Sequence, residues 1–159
     1  MKRIIDFYLH NWKTDQYHKP LLLRGARQVG KTHAARTLGA SFPDFFEINL
    51  ENQQVAHIIF EKDLQPDRII RELSALMLKP IIPGKRLLFI DEIQAVPRAI
   101  LALRYFYEQM PELHVIAAGS LLDFAIEQVG IPVGRVDSFY MQPLSFIEFL
   151  SAMSSDILL

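Results

Sequence analysis

The stretch Gly25-Ala26-Arg27-Gln28-Val29-Gly30-Lys31-Thr32 decides the fold. It matches the pattern G-x-x-x-x-G-K-[ST], and it lies between an apolar run at residues 21–23 and a segment with helical spacing. Glycines at both ends let the backbone curl so that successive N–H groups point inward, where they can bind phosphate oxygens. Lys31 can then reach the β- and γ-phosphates, and the Thr32 hydroxyl can bind Mg2+. All eight residues are therefore predicted to bind a nucleoside triphosphate.

The rest of the chain alternates between strand-like and helical patterns. Strands are predicted over residues 20–24, 44–50, 87–92, 115–118 and 136–144. Helices are predicted over residues 3–13, 32–38, 51–62, 67–79, 97–110, 121–128 and 145–153. This alternation predicts an α/β fold, a three-layer sandwich in which helices cover both faces of a mainly parallel, five-stranded sheet.

Length and composition limit the alternatives. The 159 residues, half of them hydrophobic, are enough for one domain with a real core, which we expect over residues 1–159 with an N-terminal helix and linker in residues 1–18. A net charge of −1 gives no overall attraction to nucleic acid or to an anionic membrane. The absence of cysteine excludes disulfides and thiolate sites, and no apolar run approaches about 18 residues. We therefore expect a cytoplasmic protein without a membrane partner.

Two acids, Asp91 and Glu92, end the strand predicted over residues 87–92. Ligands bind beyond the carboxyl ends of strands in such sheets, which is also where the phosphate loop begins. Asp91 is expected to hold Mg2+ opposite Thr32, and Glu92 to orient or deprotonate the water that attacks the γ-phosphate. A solvated strand end is the structural alternative. A kinase has less need of a water-polarising glutamate, so the pair favours hydrolysis.

Two further residues are candidates for the catalytic site. Ser120 follows the next strand and could hydrogen-bond the attacking water or a γ-phosphate oxygen, although a serine before a helix is equally good as an N-cap. Arg135 carries a guanidinium group that suits the charge of a phosphoryl-transfer transition state, although an isolated arginine is usually a surface residue. Arg98 and Arg104 lie on a predicted helix, where salt bridges explain them better.

The sequence favours ATP among the nucleotides. It contains no Asn-Lys-x-Asp segment of the kind that selects guanine. The five histidines show no metal-ligand spacing, so Mg2+ is the only metal that the pattern indicates.

Five segments together resemble the AAA-type ATPase domain of a large bacterial and archaeal P-loop ATPase family. The phosphate loop and residues 89–94, Phe-Ile-Asp-Glu-Ile-Gln, are shared by many ATPases. Residues 118–120 (Ala-Gly-Ser), residues 134–136 (Gly-Arg-Val) and residues 142–150 complete the match. The Pro-Leu-Ser-Phe-x-Glu-Phe sequence within residues 142–150 narrows it to this family, and the resemblance covers essentially the whole chain.

The resemblance implies a role for each candidate residue. Lys31 and Thr32 would bind nucleotide and Mg2+, while Asp91 and Glu92 would be the metal-binding and catalytic acids of a Walker B motif. A sheet order of 5-1-4-3-2 is also implied, and we expect the acidic strand to lie beside the first strand.

The resemblance also implies an assembly. Ser120 would be the sensor, and Arg135 falls where AAA-type domains have an arginine finger that enters the site of a neighbouring subunit. The expected partners are therefore ATP and a second copy of the chain, with a protein or DNA partner as a further possibility.

The sequence ends at Leu159, whereas members of this family usually continue into a C-terminal domain of unknown function. No helical lid and no second sensing arginine can be assigned in the sequence. The leading hypothesis is a Mg2+-dependent ATPase, a hydrolase that drives conformational change in an attached or partner domain. The alternative is an ATP-dependent switch with negligible turnover of its own. A small P-loop kinase would need an acceptor pocket and an arginine-rich lid, and the sequence indicates neither.

Overall fold

The structure is a computed structural model that describes residues 3–157, with side chains described up to residue 153. Its strands are β1 (Leu21–Arg24), β2 (Asp44–Asn49), β3 (Arg86–Asp91), β4 (His114–Ala118) and β5 (Asp137–Tyr140). Its α-helices are α1 (Ile4–Thr14), α2 (Lys31–Gly39), α3 (His57–Glu61), α4 (Pro66–Leu76), α5 (Arg98–Gln109), α6 (Leu122–Val129) and α7 (Phe146–Ile157). Short 3-10 helices cover Gln54–Ala56 and Ile93–Ala95.

The five strands form one sheet in the order β2-β3-β4-β1-β5, and every neighbouring pair is parallel. This is the predicted order 5-1-4-3-2 read from the other edge, so the predicted α/β fold is confirmed. One expectation is wrong: the acidic strand β3 does not lie beside β1. β4 lies between them, pairing Leu23 with Ala118 on one side and Ile90 with Ala117 on the other. The last four residues of β4 are apolar and completely buried, which suits this central position.

The sheet separates two hydrophobic cores, because successive side chains of a strand point to opposite faces. Leu22 packs in the core that holds the buried residues of α3, α4, α5 and α6. Its neighbours Leu21 and Leu23 pack in the core that holds the buried residues of α1 and α2. Helices therefore cover both faces, as the sequence predicts.

Two predicted elements differ from those in the structure. The helix expected over residues 51–62 is divided into the 3-10 helix and α3. The strand expected over residues 136–144 is limited to β5, after which only the Met141 N–H continues the ladder by donating to the Arg24 carbonyl. Pro143 has no N–H to donate, so the ladder cannot continue through it.

The candidate residues lie at opposite ends of the parallel strands, some at the carboxyl edge of the sheet and one at the amino edge. The phosphate loop follows β1, Asp91 ends β3, and Ser120 follows β4, so all three lie at the carboxyl edge. Arg135 precedes β5 and lies at the opposite, amino edge. Within residues 3–157, no helix has both the length and the hydropathy needed to cross a membrane.

Candidate nucleotide-binding site

The phosphate loop curls through three residues with left-handed backbone conformations. Gly25 has φ 137°, Gln28 has φ 62° and Gly30 has φ 96°. Gly30 is also the N-cap of α2, so the loop opens directly onto a helix N-terminus, where free N–H groups favour an anion. A Cβ at Gly25 would overlap the Met141 carbonyl oxygen. Both glycines of the motif are therefore required by the backbone path.

Lys31 is folded across the loop. Its ammonium group donates to the carbonyl oxygens of Gly25 at 2.8 Å and Ala26 at 2.6 Å, and the residue is only 6% exposed. Burial lowers the Lys31 pKa, while the negative charges of Glu92 and Asp91 act in the opposite direction. The loop thus holds a largely desolvated ammonium group where phosphate oxygens could replace the two carbonyls.

Thr32 and Asp91 meet in front of the loop. The Thr32 hydroxyl donates to Asp91 Oδ2 at 3.0 Å, although β4 separates β1 from β3. The contact is possible because α2, which begins with Lys31 and Thr32, crosses the sheet and contacts β3 and β4. Asp91 is 6% exposed, and burial raises its pKa against the opposing hydrogen bonds from Thr32 and from the Glu92 N–H.

This pair of groups suits a magnesium ion. Mg2+ is usually bound through one or two protein oxygen ligands together with water and substrate phosphates. One hydroxyl and one buried carboxylate supply such a set, and a divalent cation would compensate the desolvation that raises the Asp91 pKa. The residues present therefore fit the metal.

Glu92 follows β3 in a left-handed conformation, with φ 50°. Such a conformation is uncommon for a residue with a Cβ and is often found at functional sites. Its carboxylate accepts a hydrogen bond from the Gln94 side-chain amide. The local sequence pattern predicts no role for Gln94, since nothing in it indicates that the Gln94 amide reaches back to Glu92.

Ser120 lies close to the first half of the phosphate loop. Together with Gly25, Ala26 and Gly119 it lines a small cavity of about 70 Å³ between the ends of β1 and β4. The N-cap of α6 is Leu121, so Ser120 does not have the capping role that its sequence position also allowed. Its position is compatible with the expected contact to a γ-phosphate or to water.

Arg135 does not join the other candidate residues within this chain. At the amino edge of the sheet, its Nε donates to Glu108 at 3.0 Å, and its side chain is 46% exposed. Arg104 forms an ion pair with the same carboxylate, as expected for a helix-surface arginine. Arg135 can therefore act on a phosphate loop only if that loop belongs to another copy of the chain.

A cavity of about 540 Å³ adjoins the second half of the phosphate loop. One wall is formed by Gly30 of the loop and by His33 and Thr37 of α2, and the other includes Arg3 and Asp6 near the start of α1. Its volume is in the range of small-molecule sites. No local sequence pattern indicates this cavity, because its walls come from distant parts of the chain.

Three solved structures illustrate the proteins whose fold resembles that of this chain. C. elegans PCH-2 has 15% sequence identity and a TM-score of 0.52, and the match covers 97% of this chain and 45% of that one. The Aeropyrum pernix ORC1 protein in complex with DNA has 15% identity, a TM-score of 0.51 and coverage of 96% and 47%. AMPPCP-bound DnaA from Aquifex aeolicus has 14% identity, a TM-score of 0.53 and coverage of 97% and 48%.

These likenesses concern the fold, and the chain spans less than half the length of each of these three proteins. No curated protein sequence matches the chain. A protein-family model described as an AAA domain matches residues 17–150, which include the phosphate loop, Asp91, Glu92 and Ser120. The chain therefore belongs to the AAA domain family, as a P-loop ATP-binding domain.

Proposed function

We propose that this domain is a Mg2+-dependent ATPase. The observation that carries the proposal is the 3.0 Å hydrogen bond between Thr32 and Asp91, because it joins the end of the phosphate loop to the acidic strand. These two side chains would hold the metal, and bound Mg2+ would neutralise charge on the β- and γ-phosphate oxygens. The Lys31 ammonium and the inward N–H groups of residues 25–32 would bind the phosphates.

Glu92 is proposed to accept the proton of the attacking water. It immediately follows Asp91, and its hydrogen bond from Gln94 limits the directions in which its carboxylate can point. Ser120 is proposed to bind the γ-phosphate or that water, since it lines the cavity against Gly25 and Ala26. A carboxylate base of this kind contributes about 100- to 10,000-fold to a rate.

The nucleobase is proposed to enter the cavity of about 540 Å³ beside α2. That cavity begins at Gly30, so a triphosphate held by the loop could continue into it without crossing the sheet. His33 offers a ring and Thr37 a hydroxyl at its wall, while Asp6 offers an acceptor for an exocyclic amine.

The active form is proposed to contain more than one copy of the chain. Arg135 lies at the edge opposite its own phosphate loop and has an exposed side chain, which suits an arginine that completes a neighbour's site. The cycle would then change the conformation of an attached domain or of a protein or DNA partner.

Replacing Glu92 by Gln tests the proposal. The amide keeps the shape of the side chain but cannot accept a proton, so phosphate release should fall by about 100-fold or more while ATP affinity stays within about twofold. Glu61→Gln, on the exposed surface of α3, is the matched control and should leave both quantities unchanged.

Two outcomes would count against hydrolysis at this site. Phosphate release that is unchanged by Glu92→Gln would show that Glu92 is not the base. A wild-type protein that ATP stabilises against heat, but that releases no phosphate in any assembly state, would instead be the ATP-dependent switch.

A further inference from the structure

Arg3 joins three parts of the chain that are far apart in sequence. Its Nη1 donates to the Val29 carbonyl oxygen of the phosphate loop at 2.6 Å, and its Nη2 donates to the Gln142 carbonyl oxygen at 3.0 Å. Its Nε lies 3.4 Å from Glu148 Oε1 on α7. The Arg3 side chain is 11% exposed, and its contacts with Val29 and Glu148 are partly buried, while the contact with Gln142 lies at the surface. All three nitrogen atoms of one guanidinium group thus connect separate segments of the chain.

The Glu148 carboxylate, which contacts Arg3, also binds backbone N–H groups at the starts of two helices. One of its carboxylate oxygens accepts from the Ile4 N–H at 2.9 Å and the other from the Ser145 N–H at 2.8 Å. The Ser145 hydroxyl in turn accepts from the Glu148 N–H at 3.2 Å. These hydrogen bonds, together with the charge of Arg3, lower the Glu148 pKa to about 2. The carboxylate therefore stays ionised and ties the start of α1 to the start of α7.

The contact with Val29 bears directly on phosphate binding. The Val29 carbonyl and the Gly30 N–H belong to one planar, trans peptide unit, so they point in opposite directions. A guanidinium that holds the carbonyl outward therefore turns the Gly30 N–H toward the inside of the loop. Gln28 and Gly30, on either side of Val29, both have left-handed conformations, so Val29 lies within the curled part of the loop.

We propose that Arg3 is a positioning residue for the phosphate loop and that Glu148 holds Arg3 in place, so that α1 and α7 set the nucleotide affinity of the loop. The inference rests on the proposed function, because it assumes that the Gly30 N–H binds a phosphate oxygen. It assigns a role to the glutamate of the Pro-Leu-Ser-Phe-x-Glu-Phe segment. A change in the orientation of α7 would be transmitted to the loop through one side chain.

Arg3→Lys is the first test, with Arg68→Lys as its matched control. Lysine keeps the charge but cannot reach Val29, Gln142 and Glu148 together. Arg68 has a similarly shielded side chain, 13% exposed, and binds two carbonyl oxygens and the carboxylates of Asp63 and Glu72, but it joins α4 to residues 59–63. Both variants should lose thermal stability. Only Arg3→Lys should weaken MgATP binding, by about tenfold, while Arg68→Lys stays within about twofold of wild type.

Glu148→Gln is the second test, and it decides the question if Arg3→Lys does not fold. The amide offers one acceptor oxygen in place of two and carries no charge, so Arg3 is held less firmly and MgATP affinity should fall by about threefold or more. In the absence of nucleotide, the Gly30 amide resonance in a two-dimensional NMR spectrum should shift in both variants and stay in place in Arg68→Lys.

The outcomes separate this inference from the proposed function. If the wild-type protein does not bind MgATP, the proposed function fails. If the wild type binds it and the folded Arg3→Lys and Glu148→Gln variants bind within about twofold, only the positioning role is overturned. An affinity loss in Arg68→Lys as large as that in Arg3→Lys would also overturn it, because the effect would then follow stability alone.

Discussion

The side-chain oxygen of Gln94 lies so close to Gly119 that it would overlap a Cβ at that position. That oxygen is buried and has no hydrogen-bond partner among the residues that the structure describes. The amide nitrogen of the same side chain donates to the Glu92 carboxylate. Gly119 therefore provides the space in which Gln94 can hold Glu92, and this connects the end of β4 to the proposed base at the end of β3.

Gly119→Ala should displace Gln94 and thereby leave Glu92 without its donor. We expect phosphate release to fall by about tenfold and ATP affinity to stay within about twofold, because the phosphate loop itself is not changed. Gln94→Ala should have the same effect. The double variant should be no slower than Gln94→Ala alone, since both changes remove one contact. A double variant whose loss in rate equals the product of the two single losses would contradict this account. Leu122 also lies close to the new Cβ, so unfolding is measured in parallel.

Asp91→Asn should remove the effect of magnesium on binding. The amide keeps the hydrogen bond from Thr32 but is a neutral and weaker ligand for a hard cation. We expect Mg2+ to strengthen ATP binding by about tenfold in the wild type and by less than about twofold in Asp91→Asn. Titrations with MgCl2 and with EDTA check this. An undiminished effect of Mg2+ in Asp91→Asn would place the metal elsewhere.

Arg135→Ala should lower phosphate release without lowering ATP affinity, if the residue acts on a neighbour. Arg104→Ala is the matched control because Arg104 binds the same Glu108 carboxylate. Mixing Arg135→Ala protein with Lys31→Ala protein should recover part of the activity, because some pairs then combine an intact loop with an intact arginine. A mixture that releases phosphate only at the summed rate of its two components would contradict a role in trans.

His114 should make the fold less stable in mild acid. Burial, and to a smaller extent the stacked His18 ring at 3.7 Å, lowers the His114 pKa to about 4 from its ordinary value of 6.5. Between these two values the unfolded chain binds the proton more readily, so this stability is complete above pH 6.5 and declines toward pH 4. The loss from this residue should be about 2 kcal/mol between pH 7 and pH 5.

Urea unfolding of the wild type and of His114→Phe at these two pH values checks the prediction. Phenylalanine preserves a ring against His18 but does not titrate, so the difference in unfolding free energy between pH 7 and pH 5 should shrink by about 2 kcal/mol. An equal difference in both proteins would show that His114 titrates normally. The lost hydrogen bond to the Lys13 carbonyl affects both pH values and cancels in this comparison.

The sequence predicts those parts of the molecule that depend on local patterns. Glycines at fixed spacing and the apolar β1 and β3 identify the loop and the central strands, and the alternation of elements identifies the parallel sheet. Helix α2 then brings Thr32 to Asp91, so a site inferred from two separate motifs forms one cluster. The individual roles of all the candidate residues, in the loop of residues 25–32 as well as at Asp91, Glu92, Ser120 and Arg135, stay predictions.

Other features depend on contacts that no local pattern contains. Arg3 and Glu148 are 145 positions apart, and each by itself resembles an ordinary charged residue of a helix. Gln94 depends on the space left by Gly119, which directly follows the neighbouring strand β4. The expectation that β3 lies beside β1 was wrong for a similar reason: the carboxyl ends of all parallel strands share one edge, so meeting there does not require adjacency.

The affinity of the protein for MgATP, measured for the wild type, Lys31→Ala and Lys85→Ala, tests the central claim most directly. Lys31 is buried within the loop, whereas Lys85 is exposed in the turn before β3. We predict that Lys31→Ala weakens binding by about 10- to 100-fold, the loss expected for a buried charged hydrogen-bond donor to phosphate, while Lys85→Ala binds as the wild type does. If Lys31→Ala binds MgATP as tightly as the wild type, the loop of residues 25–32 is not the nucleotide site.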